Sequence, residues 1–193
     1  QEVKRIIDEC YDRARHIIRK YDDVLHTCAD LLLEKEKISR EEFEALFEEA
    51  RRMEVPVTIH SGECGSARNV ALALQYGARR IGHGIAAIKE PALLEACRNA
   101  HIGFELCPTS NFQTKAATEL DAYPLHAFLD FGLLATINTD NRTVSHTTLT
   151  DEYTFALEKL HIEKEDLRTL YKNSVEISFA SDSVKHQLLY LLP

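Results

Sequence analysis

The segment Val57-Thr58-Ile59-His60-Ser61-Gly62-Glu63 begins as a short apolar run and ends in polar residues. Three later segments repeat this pattern: RIGHG at 80–84, FELCPTSN at 104–111 and ATINTDN at 135–141. Each of the four is followed by a stretch with helical periodicity. Strands that alternate with helices in this way are typical of a parallel sheet. The sequence therefore predicts four strand–helix units.

The polar residues after the predicted strands include two histidines and two carboxylates. Because the carboxyl ends of parallel strands meet at one edge of a sheet, we expect these side chains to line one pocket. They are His60, Glu63, His83, Asp140 and Asn141. Imidazoles and carboxylates bind zinc and also transfer protons. The pattern indicates a metal site with an acid–base group.

The glycines near these residues have two interpretations. Gly62 is small enough to let a substrate approach the backbone beside His60. Gly82 and Gly84 flank His83 and permit either such an approach or simply a tight exit from the strand.

Composition excludes several classes of protein. The chain has 193 residues and a formal net charge of -8, which argues against a surface that binds nucleic acid or anionic membranes. No apolar run reaches membrane-spanning length and no secretory leader opens the sequence. The five cysteines are odd in number and form no C-x-x-C pair. We therefore expect a reduced, cytoplasmic protein that contacts neither membranes nor nucleic acids.

The chain changes its composition near residue 50. Residues 1–54 contain 11 Lys/Arg and 15 Asp/Glu but no glycine or proline. Apolar residues recur there at helical spacing, and Ser39 with Glu42 forms a capping box. This part is predicted to be an α-helical hairpin followed by a third helix, with charged faces in solvent.

A first resemblance covers residues 1–47. The segments VKRIIDECY at 3–11 and ADLLLEKE at 29–36 resemble the closing helices of the membrane-anchored, ATP-dependent zinc metalloprotease family. Peptidase chemistry in that family needs an H-E-x-x-H helix, which this sequence lacks. The resemblance implies helix-packing material only, and a possible chimera.

A second resemblance covers residues 48–193. The motifs HSGE at 60–63, RIGHG at 80–84, ELCPTSN at 105–111 and INTDN at 137–141 resemble the C-terminal half of the adenosine deaminase family in its bacterial form. That resemblance implies an α/β fold, a partial TIM (β/α)₈ barrel made of strands five to eight with their helices. The predicted domains are thus a helical segment, 1–47, and an adenosine deaminase-like half-barrel, 48–193.

The same resemblance implies a reaction and a role for each site residue. The reaction is zinc-dependent hydrolysis of adenosine or deoxyadenosine to inosine or deoxyinosine and ammonia. His60 and Asp140 would bind Zn²⁺, Glu63 would shuttle a proton, and His83 would orient or help deprotonate the attacking water. Asn141 would hydrogen-bond a ring nitrogen of the purine nucleoside, with Gly62 as a further substrate contact.

Parts of the family pattern are absent. The resemblance implies an H-x-H pair of metal ligands on a first strand, yet no H-x-H occurs here, and two protein ligands fall short of the three that hold a catalytic zinc ion. Four strands also leave two sheet edges, so we expect self-association through them. The alternative hypotheses are a non-catalytic helical, scaffold or assembly module that retains a degenerate half-barrel, or a fragment of a metalloprotease fusion.

Overall fold

The computed structural model describes residues 2–35 and 39–192. The chain divides into two compact units, Gln1–Leu46 and Phe47–Pro193. The assignment of residues 1–47 and 48–193 as separate domains stays a prediction.

The chain begins with three helices: α1 (Glu2–Lys20), α2 (Asp22–Lys35) and α3 (Arg40–Arg52). The predicted capping box at the start of α3 is confirmed, because the Ser39 N–H donates to Glu42 Oε2 and the Glu42 N–H donates to Ser39 Oγ. Among the described residues, no helix combines the length and apolar character that a membrane span requires.

The junction between α1 and α2 contains the single residue Tyr21. Its N–H donates to the Ile17 carbonyl at 3.2 Å, and its own carbonyl accepts from the Leu25 N–H at 3.0 Å, so helical hydrogen bonding continues from α1 into α2. The predicted helical hairpin stays a prediction. The α2–α3 connection includes residues 36–38, which lie outside the described residues.

The second unit contains a four-stranded parallel sheet in the order β1-β2-β3-β4. Its strands are β1 (Val57–Ser61), β2 (Ala78–His83), β3 (Gly103–Leu106) and β4 (Leu134–Ile137). Neighbours in the sheet are neighbours in sequence, as in a (β/α)₈ barrel. The prediction of a partial barrel of four strand–helix units is confirmed.

Helices follow every strand. A 3₁₀ helix, Ile85–Lys89, precedes α5 after β2. The α-helices are α4 (Ala67–Gln75), α5 (Pro91–Asn99), α6 (Pro108–Gln113), α7 (Leu125–Asp130), α8 (Arg142–Ser145), α9 (Leu149–Lys159), α10 (Lys164–Ile177) and α11 (Asp182–Tyr190).

One face of the sheet is packed against helices. Ile81, Phe104 and Ala135 share a register row, and all three are fully buried. The Phe104 ring contacts the Phe128 ring of α7 edge to face at 5.0 Å between centroids. Burial of one such phenylalanine contributes roughly 3 kcal/mol, so this row anchors the strands to the helical layer.

The two outer strands pair on one side only. Among the described residues, β1 pairs with β2 and β4 pairs with β3, which leaves one edge of each outer strand outside the sheet ladder. Unpaired edges offer backbone donors and acceptors to another strand. The expected self-association through these edges stays a prediction.

Candidate active site

The carboxyl ends of the strands bring the predicted side chains together. Glu63 Oε2 lies 3.2 Å from His60 Nε2 and 3.7 Å from His83 Nε2, while Asp140 Oδ2 lies 4.0 Å from His83 Nε2. The two imidazole rings are 4.5 Å apart between centroids. The expected convergence is therefore observed for these four side chains, although the five predicted residues do not all line one pocket.

Backbone conformation at the strand exits aims these side chains. His83 and Asp140 have φ values of 63° and 53°, in the left-handed region that non-glycine residues adopt at a cost. Residues held in this region are concentrated at functional sites, because the surrounding structure must compensate for the strain. The backbone of His83 and that of Asp140 are thus held in a strained conformation, as is typical of residues in functional sites.

Gly62 and Gly84 have packing reasons for lacking a side chain. A Cβ atom on Gly62 (φ +67°) would lie 2.5 Å from Val70 Cγ2, and one on Gly84 (φ +68°) would lie 2.5 Å from Phe104 Cδ1. The tight strand exit is therefore the interpretation that the structure supports for Gly84. For Gly62, contact with substrate stays a prediction.

The site opens into a cavity of about 900 Å³ whose lining includes His60, His83 and Asp140. Glu63 instead lines a neighbouring cavity of about 520 Å³, together with Lys89 and Lys115. Asn141 belongs to the lining of neither. Its Oδ1 accepts a hydrogen bond from the Val144 N–H at 3.0 Å and thereby caps α8, which leaves the amide N–H groups for a ligand.

The donor atoms fit a zinc ion. Single ligand atoms of His60, Glu63 and His83 lie within 4.8 Å of one another. Two ligand atoms of a tetrahedral zinc ion, each roughly 2.1 Å from the metal, are about 3.4 Å apart. The distances from Glu63 Oε2 to His60 Nε2 (3.2 Å) and to His83 Nε2 (3.7 Å) are close to this value. This compact group differs from the predicted ligand pair, since it contains Glu63 and His83 rather than Asp140. The assignment of His60 and Asp140 as ligands stays a prediction.

Several residues that sequence reasoning gave no role hold the site in place. Ser110 Oγ donates to Asp140 Oδ2 at 2.7 Å. Thr114 Oγ1 donates to Glu63 Oε1 at 3.0 Å. Asn111 donates to Glu63 Oε1 at 3.3 Å and accepts from the Tyr123 hydroxyl at 2.9 Å. Ser110 and Asn111 end the polar cluster after β3, a signal that could have identified them, whereas Thr114 and Tyr123 lie in no such cluster.

The start of α6, which carries Ser110 and Asn111, is anchored from α9. Glu152 is completely buried, and its Oε2 accepts a hydrogen bond from the Thr109 N–H at 3.1 Å. Its Oε1 has no hydrogen-bond partner among the described residues. The hydrogen bond from Thr109 ties α6 to α9. Burial of a carboxylate costs free energy of folding, and an apolar residue at this position would avoid that cost.

Burial controls protonation within the site. It lowers the pKa of His83 below the usual value, with the His60 charge acting in the same direction and the Glu63 carboxylate opposing. Burial raises the pKa of the Cys107 thiol to about 12, so this cavity-lining cysteine stays protonated and is a poor nucleophile. The site thus presents a neutral imidazole beside carboxylates.

Comparison with known proteins adds an independent line of evidence. Residues 8–192 match the family profile described as adenosine deaminase. The adenosine deaminase of Shewanella woodyi is 46% identical over 136 residues, which cover 70% of this chain and 41% of that protein. The adenosine deaminase of Haemophilus ducreyi is 36% identical over 176 residues, or 91% of this chain and 51% of that protein.

A solved structure agrees with these relatives. The crystal structure of adenine deaminase from Arthrobacter aurescens superposes with a TM-score of 0.75 at 26% identity, covering 87% of this chain and 56% of that chain. This chain therefore spans about half the length of the proteins it matches. The profile match includes most of residues 1–47, whose resemblance to the metalloprotease family stays a prediction.

Proposed function

Since this chain belongs to the adenosine deaminase family, a family of hydrolases, we propose that it supports zinc-dependent hydrolytic deamination of adenosine and deoxyadenosine to inosine, deoxyinosine and ammonia. The observation that carries the proposal is the approach of His60, Glu63, His83 and Asp140 to within 4.0 Å of a neighbour at one sheet edge. The chain spans about half the length of its relatives, so the activity of this part of the protein is itself a proposal.

His60 and Asp140 would hold the metal. The His60 side chain is 66% exposed, so its imidazole is accessible to an incoming ion. The hydrogen bond from Ser110 Oγ to Asp140 Oδ2 restrains the carboxylate, as expected of a group that orients a ligand. Bound zinc supplies the reaction with water whose pKa is lowered toward about 7, and so with hydroxide at neutral pH.

Glu63 is the proposed proton shuttle. Water adds to the ring carbon that bears the amino group, the carbon–nitrogen bond breaks, and ammonia leaves. This exchange needs a group that delivers a proton to the adjacent ring nitrogen. Glu63 is suited to this task because its side chain is only 11% exposed and Thr114 and Asn111 hold Oε1, while Oε2 faces the histidines.

The remaining roles concern orientation. His83, neutral because of its burial, would orient the attacking water. Asn141 would donate its amide N–H to a purine ring nitrogen, because its oxygen is already used in capping α8. The backbone of Gly62 would contact the substrate.

Turnover by the purified 193-residue chain tests the proposal. Adenosine is incubated with the zinc-supplemented protein, and inosine and ammonia are measured. Glu63→Gln is expected to lower turnover by roughly 10²-fold or more, as for loss of a general acid–base group, while the exposed control Glu158→Gln leaves it unchanged. Absence of zinc-dependent turnover, or equal turnover in Glu63→Gln, overturns the proposal.

A scaffold function is the second candidate. It is favoured by the missing H-x-H pair, since the chain then offers a catalytic zinc ion fewer ligands than usual. Elemental analysis separates the two functions. One tightly bound zinc ion per chain, lost in His60→Ala but kept in His186→Ala, supports the deaminase site, whereas a metal-free protein supports the scaffold.

Two further expectations accompany the deaminase proposal. We place the protein in the cytoplasm, because Cys10, Cys64, Cys97 and Cys107 are all free thiols. We also propose self-association through the unpaired edges of β1 and β4, which sedimentation analysis of the purified chain would reveal as a concentration-dependent mass.

A further inference from the structure

Asn111 lies between two candidate catalytic side chains and is itself fully buried on α6. Its Nδ2 atom is 2.9 Å from His83 Nδ1 and 3.3 Å from Glu63 Oε1. Its Oδ1 atom accepts a hydrogen bond of 2.9 Å from the Tyr123 hydroxyl. The amide of Asn111 therefore places all of its polar atoms within the site.

The partners of Asn111 determine which way its amide points. A carboxylate only accepts hydrogen bonds, so the nitrogen of Asn111, and not its oxygen, must face Glu63. Tyr123 is a protonated phenol, since burial raises its pKa well above the usual value, and it donates to the oxygen. The reversed amide would bring two acceptors together at Glu63. The nitrogen must then also face His83, because both contacts use the same atom.

This orientation assigns the ring nitrogens of His83. Because Asn111 Nδ2 donates to Nδ1, that ring nitrogen accepts and carries no proton, and a neutral imidazole then carries its proton on Nε2. The Nε2 atom faces Glu63 Oε2 and Asp140 Oδ2. We propose that Asn111 is a positioning residue that fixes His83 in the Nε2–H tautomer and makes it a hydrogen-bond donor toward the reaction centre.

The tautomer separates the two histidines of the site. A histidine that binds a metal through one nitrogen normally donates from the other. His83 shows the opposite arrangement, because its second nitrogen accepts from Asn111. His83 is thereby assigned as a hydrogen-bond donor. The assignment of His60 as the metal ligand rests on the proposed function.

The test is nitrogen NMR of the metal-free, 193-residue chain labelled at histidine and asparagine. The expected spectrum shows His83 Nδ1 unprotonated, Nε2 protonated, and a scalar coupling between Asn111 Nδ2 and His83 Nδ1 across the hydrogen bond. Asn111→Leu, which is similar in size but cannot donate, should remove the coupling and shift His83 Nδ1 toward the position of an unbonded acceptor. The matched control Gln113→Leu removes an amide from the same helix, where Gln113 binds the Ser145 carbonyl, and should leave His83 unchanged.

Tyr123→Phe provides a milder variant if Asn111→Leu does not fold. It removes only the donor to Asn111 Oδ1, and we expect a weaker coupling with the same tautomer. A proton on His83 Nδ1, or no coupling in the unchanged chain, overturns the inference. A chain that shows the coupling but no zinc-dependent turnover retains the inference and overturns the proposed function. A chain that shows zinc-dependent turnover but no coupling overturns the inference and retains the proposed function.

Discussion

Replacement of Gly84 by alanine is expected to destabilise the second unit through one identifiable clash. Gly84 follows His83 at a φ of +68°, and a Cβ atom there would lie 2.5 Å from Phe104 Cδ1 and 2.7 Å from Cε1. Phe104 is fully buried and packs on Phe128, so its ring has little room to move. The added methyl group must therefore distort the core.

The size of the effect follows from two contributions. A left-handed φ costs a non-glycine residue roughly 1 kcal/mol, and overpacking of a dense core costs roughly 1–3 kcal/mol more. The sum is about 2–4 kcal/mol for Gly84→Ala. Gly132→Ala is the matched control, because its φ is +78° but its nearest neighbour, Arg98 Cδ, is 3.7 Å away. It should cost only the backbone term, about 1 kcal/mol.

Urea unfolding followed by tyrosine fluorescence measures both variants, since the chain contains no tryptophan. The difference between them isolates the clash with Phe104. Shortening that residue in Gly84→Ala/Phe104→Leu should recover part of the loss, which a double-mutant cycle records as a coupling. Equal destabilisation in Gly84→Ala and Gly132→Ala would refute the packing argument, and so would the absence of coupling.

Two more predictions concern thiols and a helix cap. Cys97 should resist iodoacetamide in the folded protein while the exposed Cys64 reacts, because burial raises the Cys97 pKa to about 11; peptide mapping by mass spectrometry checks this, and equal labelling contradicts it. Thr148→Ala removes the Thr148–Asp151 capping box of α9 and should cost about 1 kcal/mol, measured as a melting temperature lower by roughly 2–4 °C. The Thr148 hydrogen bonds lower the pKa of Asp151, so their stabilisation is present at neutral pH and is lost as the pH falls through that lowered value. The difference in melting temperature between Thr148→Ala and the unchanged chain should therefore become smaller in acid. A difference that becomes larger in acid would contradict the stabilising role of the capping box.

The strands were predictable because their signals are local. The run that begins at Val57 combines β-branched residues with a polar end, and the structure places β1 there. The less apolar start of β2, at Ala78 and Arg79, was not predicted as strand. Ala78 pairs with Val57 of β1, and Arg79 lies at a register shift before Arg80 pairs with Thr58. Pairing with β1 thus makes this segment a strand, which is a tertiary effect on a weak local preference.

The site was predictable to the extent that strand ends carry it. His60 and His83 lie in the last two residues of β1 and β2, and Asp140 follows β4, so the parallel topology alone brings them to one edge. Thr114 and Tyr123 reach the same site from segments without periodicity. Their partners, Glu63 and Asn111, are 51 and 12 residues away in sequence, and no local pattern encodes such pairs.

By itself, the sequence determined that the chain forms four strand–helix units and at which end of the sheet its chemistry lies, because residue periodicity and the rule that parallel strands share a direction are local properties. Only the tertiary structure decided the finer matters: which nitrogen of His83 accepts from Asn111, what restrains the Glu63 carboxylate, and why Gly84 cannot carry a side chain. Each of these depends on atoms that are distant in sequence and meet only when the helices pack on the sheet.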